Sequence, residues 1–78
     1  WGYYLIGDFD NAENFLRKAI QLMPNDPVVN DHYGDVLWKL NRKIQARYYW
    51  KSVLDSEKSE NDLKKIVKKK LLYGLDKS

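Results

Sequence analysis

The chain has 78 residues, with 14 Lys and Arg against 11 Asp and Glu, so its formal net charge is +3. This length allows one small domain, which buries only about 60% of its unfolded surface. The absence of Cys and the single His exclude disulfides, Cys-based zinc sites and multi-His metal sites. Because no apolar run approaches the ~20 residues of a membrane span and no signal-peptide pattern is seen, we expect a cytoplasmic protein.

The spacing of apolar residues predicts helices along the whole chain. Residues 1–6 resemble the last turns of a helix, and apolar residues recur at steps of three and four within residues 10–23, 27–40, 43–55 and 60–73. No segment shows the alternation that is typical of a strand. We therefore predict an all-α fold with short connections.

Residues with strong turn preferences mark the helix ends. Asp26 is placed to cap a helix that begins at Pro27, and Asn41 tolerates the left-handed conformation that ends one. Asp10 and Glu13 are spaced as a capping box, which predicts that Glu13 reaches back to the start of its own helix.

The apolar pattern repeats after 34 residues. This shift aligns Tyr3 with Leu37, Ala12 with Ala46, Phe15 with Tyr49, Leu16 with Trp50, and Ala19 with Val53. Self-similarity at a fixed period is typical of stacked helix pairs, in which each pair needs a neighbour to bury its apolar face.

The residues of the second unit resemble the tetratricopeptide repeat (TPR) family. The matching positions are Tyr33, Gly34 and Leu37 in its first helix, helix A, and Ala46, Trp50 and Val53 in its second, helix B. The resemblance implies that a small residue is needed at position 34, because helix B packs closely there. The resemblance implies a right-handed α-solenoid fragment, with a truncated repeat in residues 1–26, a complete repeat in residues 27–60, and a C-terminal capping helix and tail in residues 61–78. The residue composition of the repeat, which is rich in Lys, Asn and Tyr, suggests the C-terminal end of a bacterial TPR protein.

The chain departs from the family pattern at two informative positions. Asn30 stands where the family often has Trp, and Lys68 stands where Gly34 stands one repeat earlier. Because Lys68 would prevent close packing of a following helix, we expect the last helix to end the array, with Lys64, Lys65, Lys68 and Lys69 facing solvent.

The resemblance implies a protein–protein interaction scaffold whose concave face is formed by helix A residues. The outward positions on these helices are Tyr4, Leu5, Val28, Asp31, Asp35, Trp38 and Lys39. Two positions are equally compatible with the sequence for Trp38. It could form an aromatic strip with Tyr4 that binds a peptide, or it could pack on the last helix near Leu72. Asp31 and Asp35 would repel a carboxylate, so we expect a partner that carries Lys or Arg.

The truncated first repeat predicts exposed apolar residues near the start of the chain. A short helix A leaves Phe9, Phe15 and the inner face of residues 10–23 without full cover, and such patches usually find a partner. The cover is either further repeats of a longer array or a second copy of the chain. We expect self-association through Trp1, Tyr3 and Phe9.

A second function class remains open at this point. Basic and aromatic residues follow one another in the second unit and in the last helix, at Arg42, Lys43, Arg47, Tyr48, Lys51 and Lys64–Lys70. Such a stripe could contact nucleic acid or an anionic membrane, whereas a solvated outer surface is the more common outcome. His32 has no second His, Cys or orienting triad, so we expect no catalytic residues, no metal and no cofactor.

Overall fold

The computed structural model describes residues 2–75, and these residues form five helices and no strand. The helices are α1 (Gly2–Leu5), α2 (Phe9–Leu22), α3 (Pro27–Lys39), α4 (Lys43–Asp55) and α5 (Asn61–Tyr73). The all-α prediction is therefore confirmed. Within residues 2–75, every helix is too short or too polar to cross a lipid bilayer.

Local sequence signals mark some of the helix ends, whereas the starts of α4 and α5 have no side-chain cap. The Asp26 carboxylate accepts hydrogen bonds from the backbone N–H groups of Val28 and Val29, at 2.9 and 3.2 Å, and Asn41 has a φ of 64° after α3. The capping box at Asp10 and Glu13 was wrong. Asp8 caps α2 instead, through the N–H of Asn11, because the helix begins at Phe9, one residue earlier than its apolar stripe.

Successive helices pack against each other around one core. The buried apolar residues are Ala12 and Leu16 of α2, Tyr33, Val36 and Leu37 of α3, Ala46, Trp50 and Val53 of α4, and Val67 of α5. Contacts between helices are most extensive for α3 with α4, and α2 and α5 pack on the two sides of that pair. Each longer helix thus covers part of its neighbour, as the repeated apolar pattern requires.

The close approach of α3 and α4 depends on Gly34. A Cβ built on Gly34 would lie 2.5 Å from the Trp50 indole and 3.1 Å from the carbonyl oxygen of Ala46. The expectation that a small residue is needed here is therefore confirmed. Nearby, buried Asn30 donates hydrogen bonds to the carbonyls of Pro24 and Asp26, at 3.0 and 2.8 Å, so it fastens the α2–α3 turn to α3.

Candidate functional site

The central feature of the molecule is a buried acidic pair on α3 that is bound by a lysine from α5. Asp31 and Asp35 lie one helical turn apart and are only 6% and 7% exposed. The Lys70 Nζ lies 2.8 Å from Asp31 Oδ1 and 2.9 Å from Asp35 Oδ1. The expectation that both carboxylates face outward and are free for a partner was wrong, because Lys70 already occupies them.

Asp35 also connects this pair to α4. The Trp50 Nε1–H donates a hydrogen bond of 3.0 Å to Asp35 Oδ1 inside the core. One carboxylate therefore holds side chains from α4 and α5 against α3. Buried polar groups of this kind stabilise a fold only when all of their members have partners.

The electrostatics of the pair reflect both burial and mutual repulsion. Burial raises the pKa of Asp35 to about 6, and the neighbouring Asp31 adds to this effect, although Lys70 and Trp50 act against it. Burial would lower the pKa of Lys70, but hydrogen bonds and charges from the two carboxylates outweigh it and raise the pKa overall. Near neutral pH the ammonium therefore stays charged beside the acidic pair.

His32 lies beside the pair and completes a set of potential metal ligands. Ligand atoms of Asp31, His32 and Asp35 lie within 4.8 Å of one another. The cation among these groups is the Lys70 ammonium, and a metal ion would have to displace it. Burial lowers the pKa of His32, and the positive charge of Lys70 also favours the neutral imidazole, against the attraction of Asp31.

Tyr4 brings α1 to the same region. Its ring packs edge-on against Phe9, with 5.4 Å between the ring centroids. Burial raises the pKa of Tyr4, and the charges of Asp35 and Asp31 raise it further. Three alternate helices, α1, α3 and α5, therefore contribute Tyr4, the acidic pair and Lys70 to one region of the molecule.

Of the two positions that the sequence left open for Trp38, the structure shows packing within the protein, including on the trailing segment. The Trp38 ring packs on Trp50 at a centroid distance of 5.3 Å, and the Lys43 and Arg47 cations lie 4.9 and 5.5 Å from its centroid. A Cβ on buried Gly74 would overlap the same ring. Trp38 is thus covered by α4 and the end of α5, which leaves little of it for an aromatic strip with Tyr4.

The sequence placed the packing of Trp38 near Leu72, which lies in the correct segment but is not the residue that the ring contacts. The ring does pack on the trailing segment, yet its contact is Gly74, whereas Leu72 points to solvent and is exposed. The sequence did not single out Gly74 as a contact, although its φ of 73° and its place at the end of α5 are typical of a helix-ending glycine.

The other predicted contact residues differ in exposure. Leu5, Val28 and Lys39 are exposed, as predicted for residues that meet a partner. Of the residues predicted for self-association, Tyr3 is exposed and Phe9 is half-buried beneath Tyr4. Trp1 lies outside the described residues.

The basic stripe is interrupted. Lys70 is bound to the acidic pair, Lys43 and Arg47 lie over Trp38, and Arg47 also donates to the carbonyl of Leu71. Lys65, Lys68 and Lys69 are exposed as predicted, and Lys64 is half-buried. Several cations of the stripe are therefore engaged within the protein.

The sequence indicated only in part an apolar groove that lies between α2 and α3. It has a volume of about 420 Å³ and is lined mainly by apolar side chains of the second half of α2 and the first turns of α3. Phe15 is 58% exposed, as the missing cover predicted, and Leu22 is 82% exposed. Leu16 is buried, so the groove has a closed floor.

Comparisons with known proteins give partial sequence similarity. The chain is 36% identical over 55 residues to aspartyl/asparaginyl beta-hydroxylase from Homo sapiens, and 33% identical over 55 residues to the protein of that name from Mus musculus. Each match covers 70% of this chain but only 7% of the relative, so the chain spans a small part of their length. No family model matches, and no solved structure matches significantly.

Proposed function

We propose that the chain is a protein–protein interaction module, a TPR-like scaffold that binds a peptide or protein across its helix A face. In this proposal α1, α3 and α5 are the helices that line the concave face of a right-handed solenoid, and α2 and α4 lie behind them. The observation that carries the proposal is that Lys70 of α5 lies against the acidic pair of α3, whose charges also act on Tyr4 of α1. Stacked repeats bring every second helix to a common surface in this way.

The proposed partner contacts are the exposed residues of this face. Leu5 and Val28 are 74% and 50% exposed, and Lys39 is exposed, whereas Tyr4 is half-buried. A Lys or Arg of the partner would have to displace Lys70 before it could reach Asp31 or Asp35. The favoured partner therefore presents apolar side chains to Leu5 and Val28, because exposed apolar surface is what such a contact buries.

The proposed mechanism is rigid presentation of a surface, without a chemical step or a cofactor. The relatives carry the name of a hydroxylase, but this chain matches only 7% of their length, and we propose no catalytic residue in it. A cytoplasmic location and a bacterial origin are parts of the same proposal, although the human and mouse hydroxylases are mammalian proteins.

Self-association is a separate part of the proposal. Tyr3 is exposed on α1, and a second copy that packs on this edge would cover it. Sedimentation equilibrium at rising protein concentration should show a mass above that of the monomer, and Tyr3→Ser should lower the association. A monomeric mass at every concentration would exclude this part.

The binding proposal is tested by selecting peptides from a random library against the whole chain and mapping each binder by NMR. Chemical-shift changes should centre on Leu5, Val28 and Lys39, and affinity should change little with salt. The alternative, in which the lysines of α5 bind nucleic acid or an anionic membrane, predicts an affinity for RNA or anionic vesicles that falls steeply with salt. That result, together with peptides that map away from α1 and α3, would overturn the proposal.

A further inference from the structure

We propose that a polar cleft between the α2–α3 turn and the end of α4 binds the guanidinium group of an arginine side chain on a partner peptide. The cleft has a volume of about 660 Å³, which leaves room for the arginine and for the peptide backbone on either side of it. Its lining comes from the α2–α3 turn, the first turn of α3, the second half of α4 and the turn after α4. The site is separate from the helix A face.

A buried amide in the cleft lining has a fixed orientation. Asn30 is 6% exposed, and its amide nitrogen donates both of its hydrogens to backbone carbonyls, those of Pro24 and Asp26. The amide oxygen therefore lies on the other side, 3.1 Å from the Ser52 hydroxyl. Because the nitrogen has no hydrogen left to donate, Asn30 can offer a ligand only an acceptor.

The Ser52 hydroxyl cannot fully satisfy this buried oxygen. Its single hydrogen has two acceptors, the carbonyl of Tyr49 at 2.6 Å and Asn30 Oδ1 at 3.1 Å. The shorter bond holds the hydrogen, which leaves Asn30 Oδ1 and Ser52 Oγ as two neighbouring acceptors with free lone pairs. A ligand that supplies two N–H donors side by side would complete both of them.

The end of α4 favours a positive charge in the cleft. The last turn of this helix has no basic residue, and the carbonyls of a final turn carry a partial negative charge. Asp55, the last residue of α4, and Glu57 line the cleft and are exposed. Lys51 and Lys58 line it as well, so the four side-chain charges cancel. The helix end and the two acceptors therefore decide in favour of a cation.

Tyr48 favours an arginine over a lysine. Its ring lines the cleft, is 70% exposed and lies edge-on to Tyr49, with 5.2 Å between the centroids. Tyr48 and Ser52 are four positions apart in α4, so they are neighbours on one side of the helix. A guanidinium is planar, carries N–H donors along one edge and stacks on aromatic faces, whereas an ammonium is compact and strongly hydrated. An arginine can thus donate to the acceptors and stack on Tyr48.

The probe is the peptide acetyl-Gly-Arg-Gly-amide, added to the ¹⁵N-labelled 78-residue chain at low salt. We expect saturable shifts of the Asn30 side-chain amide and of the backbone amides of Ser52 and Lys58, with a dissociation constant of about 5 mM or below. Peptides with citrulline or lysine in place of arginine should bind about fivefold more weakly or worse. Citrulline keeps N–H donors without the charge, and lysine keeps the charge without the planar edge of donors.

Single substitutions at the cleft make the test specific. Asp55→Asn keeps the size of the side chain and removes its charge, and it should weaken the arginine peptide about threefold. The matched control is Asp62→Asn, at an exposed acid of α5 outside the cleft lining, which should leave the affinity unchanged. Ser52→Ala removes one acceptor and should weaken binding about fivefold. Tyr48→Leu should abolish the preference for arginine over lysine, because it removes the aromatic face.

The measured affinities decide the matter. Saturable shifts at the cleft, with arginine preferred to citrulline and lysine and with a loss in Asp55→Asn but not in Asp62→Asn, support the proposal. Equal binding of the three peptides, shifts that centre elsewhere, or no saturation at about 20 mM peptide would overturn it. Free L-arginine that binds more tightly than the peptide would assign the cleft to a free amino acid and would also overturn it. Because Leu5 and Lys39 lie outside the cleft lining, failure of this test leaves the helix A proposal to its own test.

Discussion

Lys70 and Asp31 are 39 positions apart in the chain, yet Lys70 Nζ lies 2.8 Å from Asp31 Oδ1. The same ammonium lies 2.9 Å from Asp35 Oδ1. Because this contact joins α5 to α3 directly, the last helix is bound to the rest of the molecule by charge as well as by the apolar contacts of Val67. The contact also decides which residues are left for a partner, since it removes the acidic pair from the accessible surface.

Replacing Lys70 should destabilise the fold through the carboxylates that it leaves behind. Lys70→Met keeps much of the length and the apolar character of the side chain, but it leaves Asp31 and Asp35 buried without a cation. We expect the free energy of unfolding in urea at pH 7 to fall by about 3 kcal/mol.

The neighbouring Lys69 provides the matched control for this substitution. Lys69 is exposed, and Lys69→Met should change the free energy of unfolding by less than about 0.5 kcal/mol. Equal effects of the two substitutions would show that Lys70 stabilises the chain no more than a surface lysine does.

The raised pKa of Asp35 should give stability a defined pH dependence. Its pKa is about 6 in the folded chain, against a usual value of 3.8, so the folded state binds more protons than the unfolded state between these values. The contribution of Asp35 is therefore fully present below about pH 3.8 and is lost as the pH rises through 6.

This contribution is isolated by comparing the wild-type chain with Asp35→Asn. The free energy of unfolding of the wild type minus that of the variant should decrease from pH 4 to pH 6.5. A difference that rises over this interval would mean that Lys70 and Trp50 outweigh burial at this carboxylate.

The contact of Gly34 with α4 predicts a large effect of one methyl group. In Gly34→Ala the new Cβ would meet the Trp50 indole at 2.5 Å, so α3 and α4 must separate or Trp50 must move away from Asp35. We expect a loss of about 3 kcal/mol in chemical denaturation. Gly2→Ala is the control, because nothing beyond its chain neighbours and the backbone of its own helix lies within 4 Å of its Cβ position, and it should be close to neutral.

A hydrogen bond between α2 and α3 is open to a similar test. The Tyr33 hydroxyl donates to Glu13 Oε2 at 2.8 Å, and charged acceptors strengthen such bonds. Tyr33→Phe should lower the free energy of unfolding by about 1.5 kcal/mol, whereas Tyr48→Phe, at an exposed tyrosine, should have almost no effect. No difference between the two variants would contradict this role of Glu13.

The helices could be predicted from the sequence because their signals are local. The Asp26 cap, the start at Pro27 and the left-handed Asn41 all depend on neighbouring residues, and the period of the apolar residues is unaffected by distant parts of the chain. The need for a small residue at position 34 followed from the family resemblance. From these features the first and last residues of the five helices could be predicted to within one or two positions.

The partners of individual side chains could not be predicted in the same way. Asp31 and Asp35 were expected at the surface because the family resemblance places these helix A positions on the concave face. Nothing near them in the sequence indicates that they pair with a lysine 35 to 39 positions later. The two positions left open for Trp38 could not be distinguished for a related reason, since its cover comes from Trp50, from Gly74 and from cations of α4. Pairing of this kind depends on how α5 crosses α3 and α4.

In the proposed function, the exposed apolar residues of α1 and α3 bind the partner, while Lys70 stays bound to the acidic pair. The most direct test measures the affinity of one library-selected peptide for the wild-type chain, Leu5→Asp and Ile44→Asp at low and high salt. We expect a loss of affinity of about tenfold or more for Leu5→Asp alone, with little effect of salt. Equal affinity for all three chains, or binding that disappears at high salt, would contradict it.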